Sequence, residues 1–294
     1  MKKRVVALGF FDGVHIGHGA LLEMTVRRAA EKDASAAVMT YSNHPSSVVA
    51  PSAVKLINTT EERCALIREL YGISDIIVKE FTKEYSSLSG EAFVTEIIKK
   101  ELAAYHVVAG FDFRFGRGGK CDAQDLVRIC ADNGIGCDVV DAVELSGEPV
   151  SSSRIRECVA AGDMGAAHEL LGHYHCIMSE VSHGAHLGKT LGFPTANQEI
   201  QDEVLCAKHG VYLSRVTVDG KIYKGVTNIG VRPTVSAGVR PRAETFIIDF
   251  SGDLYGREIK LELVKFMRGE EKFSSVEALR ERIERDVAAV KTDF

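Results

Sequence analysis

No stretch of this 294-residue chain is apolar for long enough to span a bilayer, which takes about 20 consecutive residues, so a membrane-embedded protein is not expected. The seven cysteines (64, 121, 130, 137, 158, 176 and 206) form no CxxC pair and show no zinc-ligand spacing. An odd set without a pattern reads as reduced, mostly buried thiols, not as a disulfide framework or a zinc module. No segment concentrates lysine and arginine with interleaved aromatics, and the formal net charge is -5. A nucleic-acid partner is therefore poorly supported, while small anionic ligands stay open because a local site need not follow net charge. There is no internal repeat and no low-complexity tract. The opening "MKKRVVALGFFDG" is basic and then apolar but carries no small-residue cleavage site. It reads as a first buried strand, not a signal peptide, and a cytoplasmic location is expected.

With 45% hydrophobic and 26% charged residues the composition is that of a globular protein, and the length calls for two domains. In the first half, short β-branched runs at 4–10, 35–41, 74–81, 105–111 and 136–143 alternate with helical patterns. Thr59 and Glu62 make a capping box for a helix that closes on Gly72. Residues 91–104 read as a helix with Phe93, Ile97 and Leu102 broadly on one face, and Asp122 caps another that ends at Gly134. This alternation predicts an α/β domain, a Rossmann-like, doubly wound parallel sheet. After the helical pattern at 163–175 the grammar changes to short alternating runs divided by Gly-rich turns, including the hairpin signal "VDGK". That predicts a small antiparallel β-barrel, closed by one terminal helix with Ser274 and Glu277 as its capping box and Leu279, Ile283, Val287 and Val290 as its stripe. The boundary falls near 172–176, drawn as domains 1–174 and 175–294.

Three stretches carry chemistry. In "GFFDGVHIGHGALL" His15 and His18 bracket Gly17 at a strand-to-helix turn. A metal clip, a helix start whose histidines merely bond backbone, and a phosphate site at a helix N-terminus are all open readings. The first lacks further ligands nearby. The third has a mechanism: free N–H groups, a partial positive charge, close approach at Gly17 and imidazole donors. In "SSSRIREC" the serines are good helix caps, and Arg154 and Arg156 beside hydroxyls can also clamp a polyphosphate. In "FPTAN" Thr195 and Asn197 stand two apart and share a face if the segment is extended. Such oxygens suit Mg²⁺, and a Pro-led turn with routine hydrogen bonds is the alternative.

Taken in order, "GFFDGVHIGH", "YSNHPSSV", "GFDFRFGRG" and "SSSRIRE" resemble the adenylyltransferase half of bacterial bifunctional riboflavin kinase/FAD synthetases. "GKTLGFPTAN", "GVYLSRV", "GVTNIGVRPT" and "ETFIIDFSGDLYG" resemble the riboflavin kinase barrel. The likeness runs over essentially the whole chain. It implies a riboflavin kinase that makes FMN from riboflavin and ATP, joined to an FMN adenylyltransferase that gives FAD and pyrophosphate, with Mg²⁺ as cofactor. It implies that His15 and His18 hold ATP phosphates and stabilise departing charge, with Gly9, Phe11, Asp12 and Gly17 around them. Ser152 or Ser153 and Arg156 would hold the outer phosphates, and Asn43 and Asp112 would meet FMN or nucleotide. In the second half Gly188, Lys189 and Gly192 resemble a phosphate-covering loop, Thr195 and Asn197 a metal pair, and Glu244 the base for the riboflavin 5′-hydroxyl. The chain departs from the family pattern at Phe10 (often Asn), at Asn43-His44-Pro45 (commonly Pro-His-Pro) and at Phe246 (commonly His).

The altered HP loop gives a second reading, a kinase with a silent or regulatory first domain. A third, a flavin- or nucleotide-binding regulator acting on RNA, has the charge and the complete catalytic set against it. The sequence fixes no oligomeric state.

Overall fold

The computed structural model describes residues 3–49, 54–183, 192–231 and 240–292. Five strands, β1 (Arg4–Leu8), β2 (Ser35–Tyr41), β3 (Asp75–Lys79), β4 (Ala104–Gly110) and β5 (Gly136–Val140), lie in the order β3-β2-β1-β4-β5, and every neighbouring pair is parallel. Helices α1 (Ile16–Glu31), α2 (Pro45–Val49), α3 (Thr60–Tyr71), α4 (Lys83–Ser86), α5 (Gly90–Ala92) and α6 (Ala123–Asp132) occupy the crossovers, and β6 (Glu144–Leu145) pairs with β7 (Glu148–Pro149) in a small hairpin. Val6, Leu8, Met39, Val107 and Ala109 from the sheet join Phe93, Ile98, Leu126 and Ile129 in one core. This is the predicted doubly wound α/β architecture. Its strand order reverses between β1 and β4, and in such sheets the crevice outside the carboxyl ends at that reversal is where ligands sit.

The capping box at Thr59 and Glu62 forms as predicted, with Gly72 left-handed at the helix end. Asp122 caps α6 and is answered by Asp125. Three local expectations are corrected. β1 stops at Leu8, not residue 10, because Phe11 takes a left-handed backbone with φ 60°. The helix read over 91–104 is a turn of α5 followed by a π-helix, Phe93–Glu101, closed by Leu102 N–H donating to Ile97 O at 2.8 Å. Phe93 and Leu102 are nine residues apart, which in an α-helix puts them on opposite faces. The wider winding turns both to the core together with Val94 and Ile98, while Ile97 is only half-buried. The cap of the terminal helix is Ser275, whose Oγ accepts from Ala278 N at 3.1 Å, one residue beyond the predicted Ser274.

Helix α7 (Ser152–Ala161) starts on the last residue of the first compact unit, and the rest of it and α8 (Met164–Leu171) open the second unit. It continues as a closed antiparallel barrel of β8 (His175–Ser182), β9 (Thr195–Glu199), β10 (Gly210–Val218), β11 (Lys221–Gly230), β12 (Arg242–Ile247) and β13 (Glu258–Arg268), in the order β10-β11-β12-β9-β8-β13. The "VDGK" hairpin forms, with φ of 50° at Asp219 and 76° at Gly220, the pairing a two-residue turn requires. Terminal helix α9 (Val276–Thr292) sets Val287 and Val290 against Val211, Leu213 and Val226 of the barrel. Packing divides the chain into Met1–Ser152 and Ser153–Phe294. α8 lies against β8 and β13 in the second unit, and the change in sequence grammar coincides with the start of β8 at His175. No helix among the described residues is long and apolar enough to cross a membrane.

Candidate active sites

The first candidate site is the loop from β1 into α1. Phe11 and Val14 both adopt positive φ, 60° and 46°, and both are completely buried. Each such backbone costs about 1–2 kcal/mol, which their burial offsets. Gly9 is required beneath them, since a Cβ there would stand 2.9 Å from the Phe11 ring. His15 caps α1, its Nδ1 accepting from His18 N at 3.2 Å. That bond fixes the tautomer with the ring proton on Nε2, a hydrogen-bond donor. The two imidazoles stack at 3.6 Å between centroids, 14° from parallel. A Cβ on Gly17 would press to 3.1 Å on the His15 ring, so glycine leaves room for the stack. Burial, then His15, then Arg63 hold His18 well below the ordinary histidine range. Its Nδ1 is buried without a hydrogen-bond partner. The pair is thus neutral and presents N–H donors at a helix N-terminus whose first amides have no intrahelical acceptor.

Other predicted residues have specific places around this loop. The Asp12 carboxylate is buried and accepts from Ile57 N at 2.9 Å and Asn58 N at 3.4 Å, fastening the segment that leads into α3. Ser152 Oγ donates to Asp12 O at 2.9 Å, so the serine stretch reaches this loop through its first helical residue. Ser153 and Arg156 belong to the second unit. Asn43 uses its amide on backbone: Nδ2 donates to Phe81 O at 2.9 Å and Oδ1 accepts from Phe81 N at 2.8 Å. It braces the end of β2 against the chain beyond β3. Asp112 is exposed just past β4, across the strand reversal from the histidines. Sequence reasoning missed Arg63, which is fully buried on α3 with its guanidinium 4.3 Å from the Phe10 ring centroid. An arginine one helical step after a capping box reads as a solvated side chain, and nothing in the pattern signals otherwise.

In the barrel, Glu244 on β12 stands in register between Asn228 of β11 and Asn197 of β9, and Thr195 lies opposite Phe246. Cross-strand partners and alternate residues share a sheet face, so Glu244, Asn197, Asn228 and Thr195 gather on one side. Asn197 Nδ2 donates to Thr195 O at 3.1 Å, and Asn197 Oδ1 is buried with no partner. An orphaned buried carbonyl on a residue that shares its sheet face with the Thr195 hydroxyl and the Glu244 carboxylate fits a hard cation. Gly192 turns with φ 88° just before β9, a conformation that glycine adopts freely. The predicted Gly188 and Lys189 lie outside the described residues. No cluster of three or more His, Cys, Asp or Glu that could hold a metal occurs among the described residues.

The model of the FAD synthetase family matches residues 1–154, and that of the riboflavin kinase family matches residues 171–294. The chain belongs to the bifunctional riboflavin kinase/FMN adenylyltransferase family. The Listeria monocytogenes member is 35% identical over 99% of this chain and 92% of its own length. The Bacillus subtilis member is 37% identical over 97% and 90%. The Escherichia coli member is 33% identical over 99% and 92%. A solved structure described as a macrolide-efflux protein from Streptococcus pneumoniae superposes with a TM-score of 0.86 at 29% identity, covering 99% of this chain and 94% of that one. Family membership makes the chain an enzyme with a nucleotidyltransferase half and a kinase half. Matches to both halves favour the bifunctional reading over a kinase with a silent first domain.

Proposed function

We propose that the barrel half phosphorylates riboflavin with ATP to give FMN, and that the α/β half transfers AMP from a second ATP to FMN, releasing pyrophosphate. Two separate side-chain constellations in one chain support this reading. A neutral histidine pair caps a helix at the strand reversal of a parallel sheet, and a carboxylate stands in register with an oxygen-donor pair in a barrel.

In the adenylyltransfer step an FMN phosphate oxygen attacks the α-phosphorus of ATP and the bond to pyrophosphate breaks. Catalysis is positioning and neutralisation of charge on the phosphate oxygens. His15 donates from Nε2 and, with His18 and the first amides of α1, stabilises the departing pyrophosphate. Gly9, Phe11, Asp12 and Gly17 act by setting that loop. Ser152 grips the outer phosphates, and Asp112 and the HP loop braced by Asn43 border the flavin.

In the kinase step the riboflavin 5′-hydroxyl oxygen attacks the γ-phosphorus of ATP, the bond from that phosphorus to the β,γ-bridging oxygen breaks and ADP leaves, and Glu244 accepts the hydroxyl proton. Thr195 and Asn197 would hold Mg²⁺, which would supply charge neutralisation at the nucleotide phosphates. Gly188, Lys189 and Gly192 form the turn that covers them. The two functional halves divide at residues 174 and 175. All seven cysteines are free thiols, which together with ATP as co-substrate supports a cytoplasmic enzyme.

Purified protein given riboflavin, ATP and MgCl₂ will form FMN and then FAD, followed by chromatography of the flavins. Accumulation of FMN with no FAD would return the first domain to a silent role, and absence of both products would overturn the assignment.

A further inference from the structure

Arg63 makes no ion pair with a described residue, and Asp12, Cys64 and Glu61 act on its charge only across space. It is 0% exposed, and no carboxylate among the described residues bonds to it. Nη2 donates to Tyr41 O at 2.5 Å and to Thr60 Oγ1 at 3.4 Å, while Nε and Nη1 are buried with no acceptor. Above the guanidinium lies the Phe10 ring, which in turn meets His44 of the HP loop edge-on at 4.8 Å. One side chain therefore touches the end of β2, the start of α3 and the residue that opens the histidine loop. A buried charge lacking a partner costs several kcal/mol, and persists in a fold where something else requires it.

We propose that Arg63 is a positioning residue of the adenylyltransfer site, the fixed positive charge against which the histidine loop and the ATP triphosphate are set. This rests on the assignment of His15 and His18 to the phosphates. In a low-dielectric interior a cation acts over several ångströms without contact. Its field keeps a second positive charge off His18 and favours an incoming polyanion, whose negative charge adds to the partial compensation that Asp12 gives across space. The groups facing Arg63 and His18 from the neighbouring elements are His15 and Asp12 on the loop, Tyr41 at the end of β2, Glu61 and Cys64 on α3, and the Tyr71 hydroxyl over Gly19. Asp12 is the one acid among them on the histidine loop, and its Oδ1 is engaged with backbone amides.

The test compares Arg63→Met, Arg63→Lys and His18→Ala in the full chain, with riboflavin kinase activity as the control for folding. Arg63→Met is expected to lose at least about tenfold in kcat/KM for ATP in FAD synthesis. Its thermal midpoint should be equal to or above the parent's, since an orphaned buried charge has been replaced by an apolar chain. The acid limb of its FAD-synthesis profile should move to higher pH, and Arg63→Lys, which keeps an amine but not the planar fork stacked on Phe10, should fall between Arg63→Met and the parent in both activity and limb position. The proposal is overturned if Arg63→Met makes FAD within about threefold of the parent with its acid limb unmoved. It is equally overturned if both variants lose activity together with melting temperature, which is what a purely structural arginine predicts. Parent-level FAD synthesis by His18→Ala would instead remove the histidine assignment, a result that Arg63→Met alone cannot give.

Discussion

The backbone N–H of His18 donates to Nδ1 of His15 while the two rings stack at 3.6 Å, so one imidazole caps the helix and orients the other. The arrangement works only with both rings uncharged. Protonating Nδ1 of His15 removes the acceptor, and two stacked imidazolium rings repel.

His18→Ala should reduce FAD synthesis from FMN and ATP by about 10² or more, the cost of losing a donor that acts on developing charge. Riboflavin phosphorylation should be unchanged, because the kinase residues belong to the barrel. Burial and the neighbouring positive groups lower the His18 pKa, so in the parent FAD synthesis should persist as pH falls through 6.5, the ordinary histidine value. A profile that collapses at that ordinary value would mean that the stacked pair does not stay neutral.

Glu244→Gln should cut FMN formation by about 10² to 10⁴, the usual contribution of a general base. Flavin product analysis after feeding FMN directly should still show FAD. Loss of both activities would show that the two sites are not separable.

The motifs mark both proposed sites because their residues are contiguous in sequence, and periodicity located the parallel sheet and the barrel because each buries a regular face. What the motifs could not say is which of their members face a ligand. Asp12 and Asn43 stand inside motifs, yet their polar atoms are engaged with backbone at Ile57, Asn58 and Phe81, contacts between segments far apart in sequence. Arg63 stands outside any motif, and its burial depends on Phe10 and Tyr41 closing over it. The π-helix at Phe93–Glu101 was half-legible: the nine-residue spacing from Phe93 to Leu102 already conflicts with α periodicity.

Asn197→Ala should raise the Mg²⁺ concentration needed for half-maximal kinase activity about tenfold or more, by analogy with other lost metal-site oxygens. The orphaned Oδ1 is the reason: a buried carbonyl without a donor gains most from a cation. Oδ1 has no protein partner to lose, so thermal stability without Mg²⁺ should fall by no more than the loss of the buried amide and its Nδ2 bond to Thr195 O implies, on the order of 1–3 kcal/mol. FAD synthesis from FMN should keep the parent's Mg²⁺ dependence, and a parent-like Mg²⁺ requirement for the kinase would move the metal elsewhere.

His175, at the start of β8, is buried with Nδ1 unpaired, and burial followed by the nearby His173 pushes its pKa down to about 4. The unfolded chain takes up this proton near 6.5 and the folded chain only near 4, so between those values unfolding binds protons and stability rises with pH. The contribution is fully present above pH 6.5 and is lost progressively as pH falls to 4, amounting to about 3 kcal/mol. Carboxylates held low by arginine or lysine partners, Asp138 and Glu96 among them, add a loss of the same sign, though at lower pH. His175→Leu isolates the histidine: its melting temperature should fall less than the parent's between pH 7 and pH 5, where those carboxylates stay ionised. Equal falls in the two proteins would mean that the buried imidazole is already protonated in the fold.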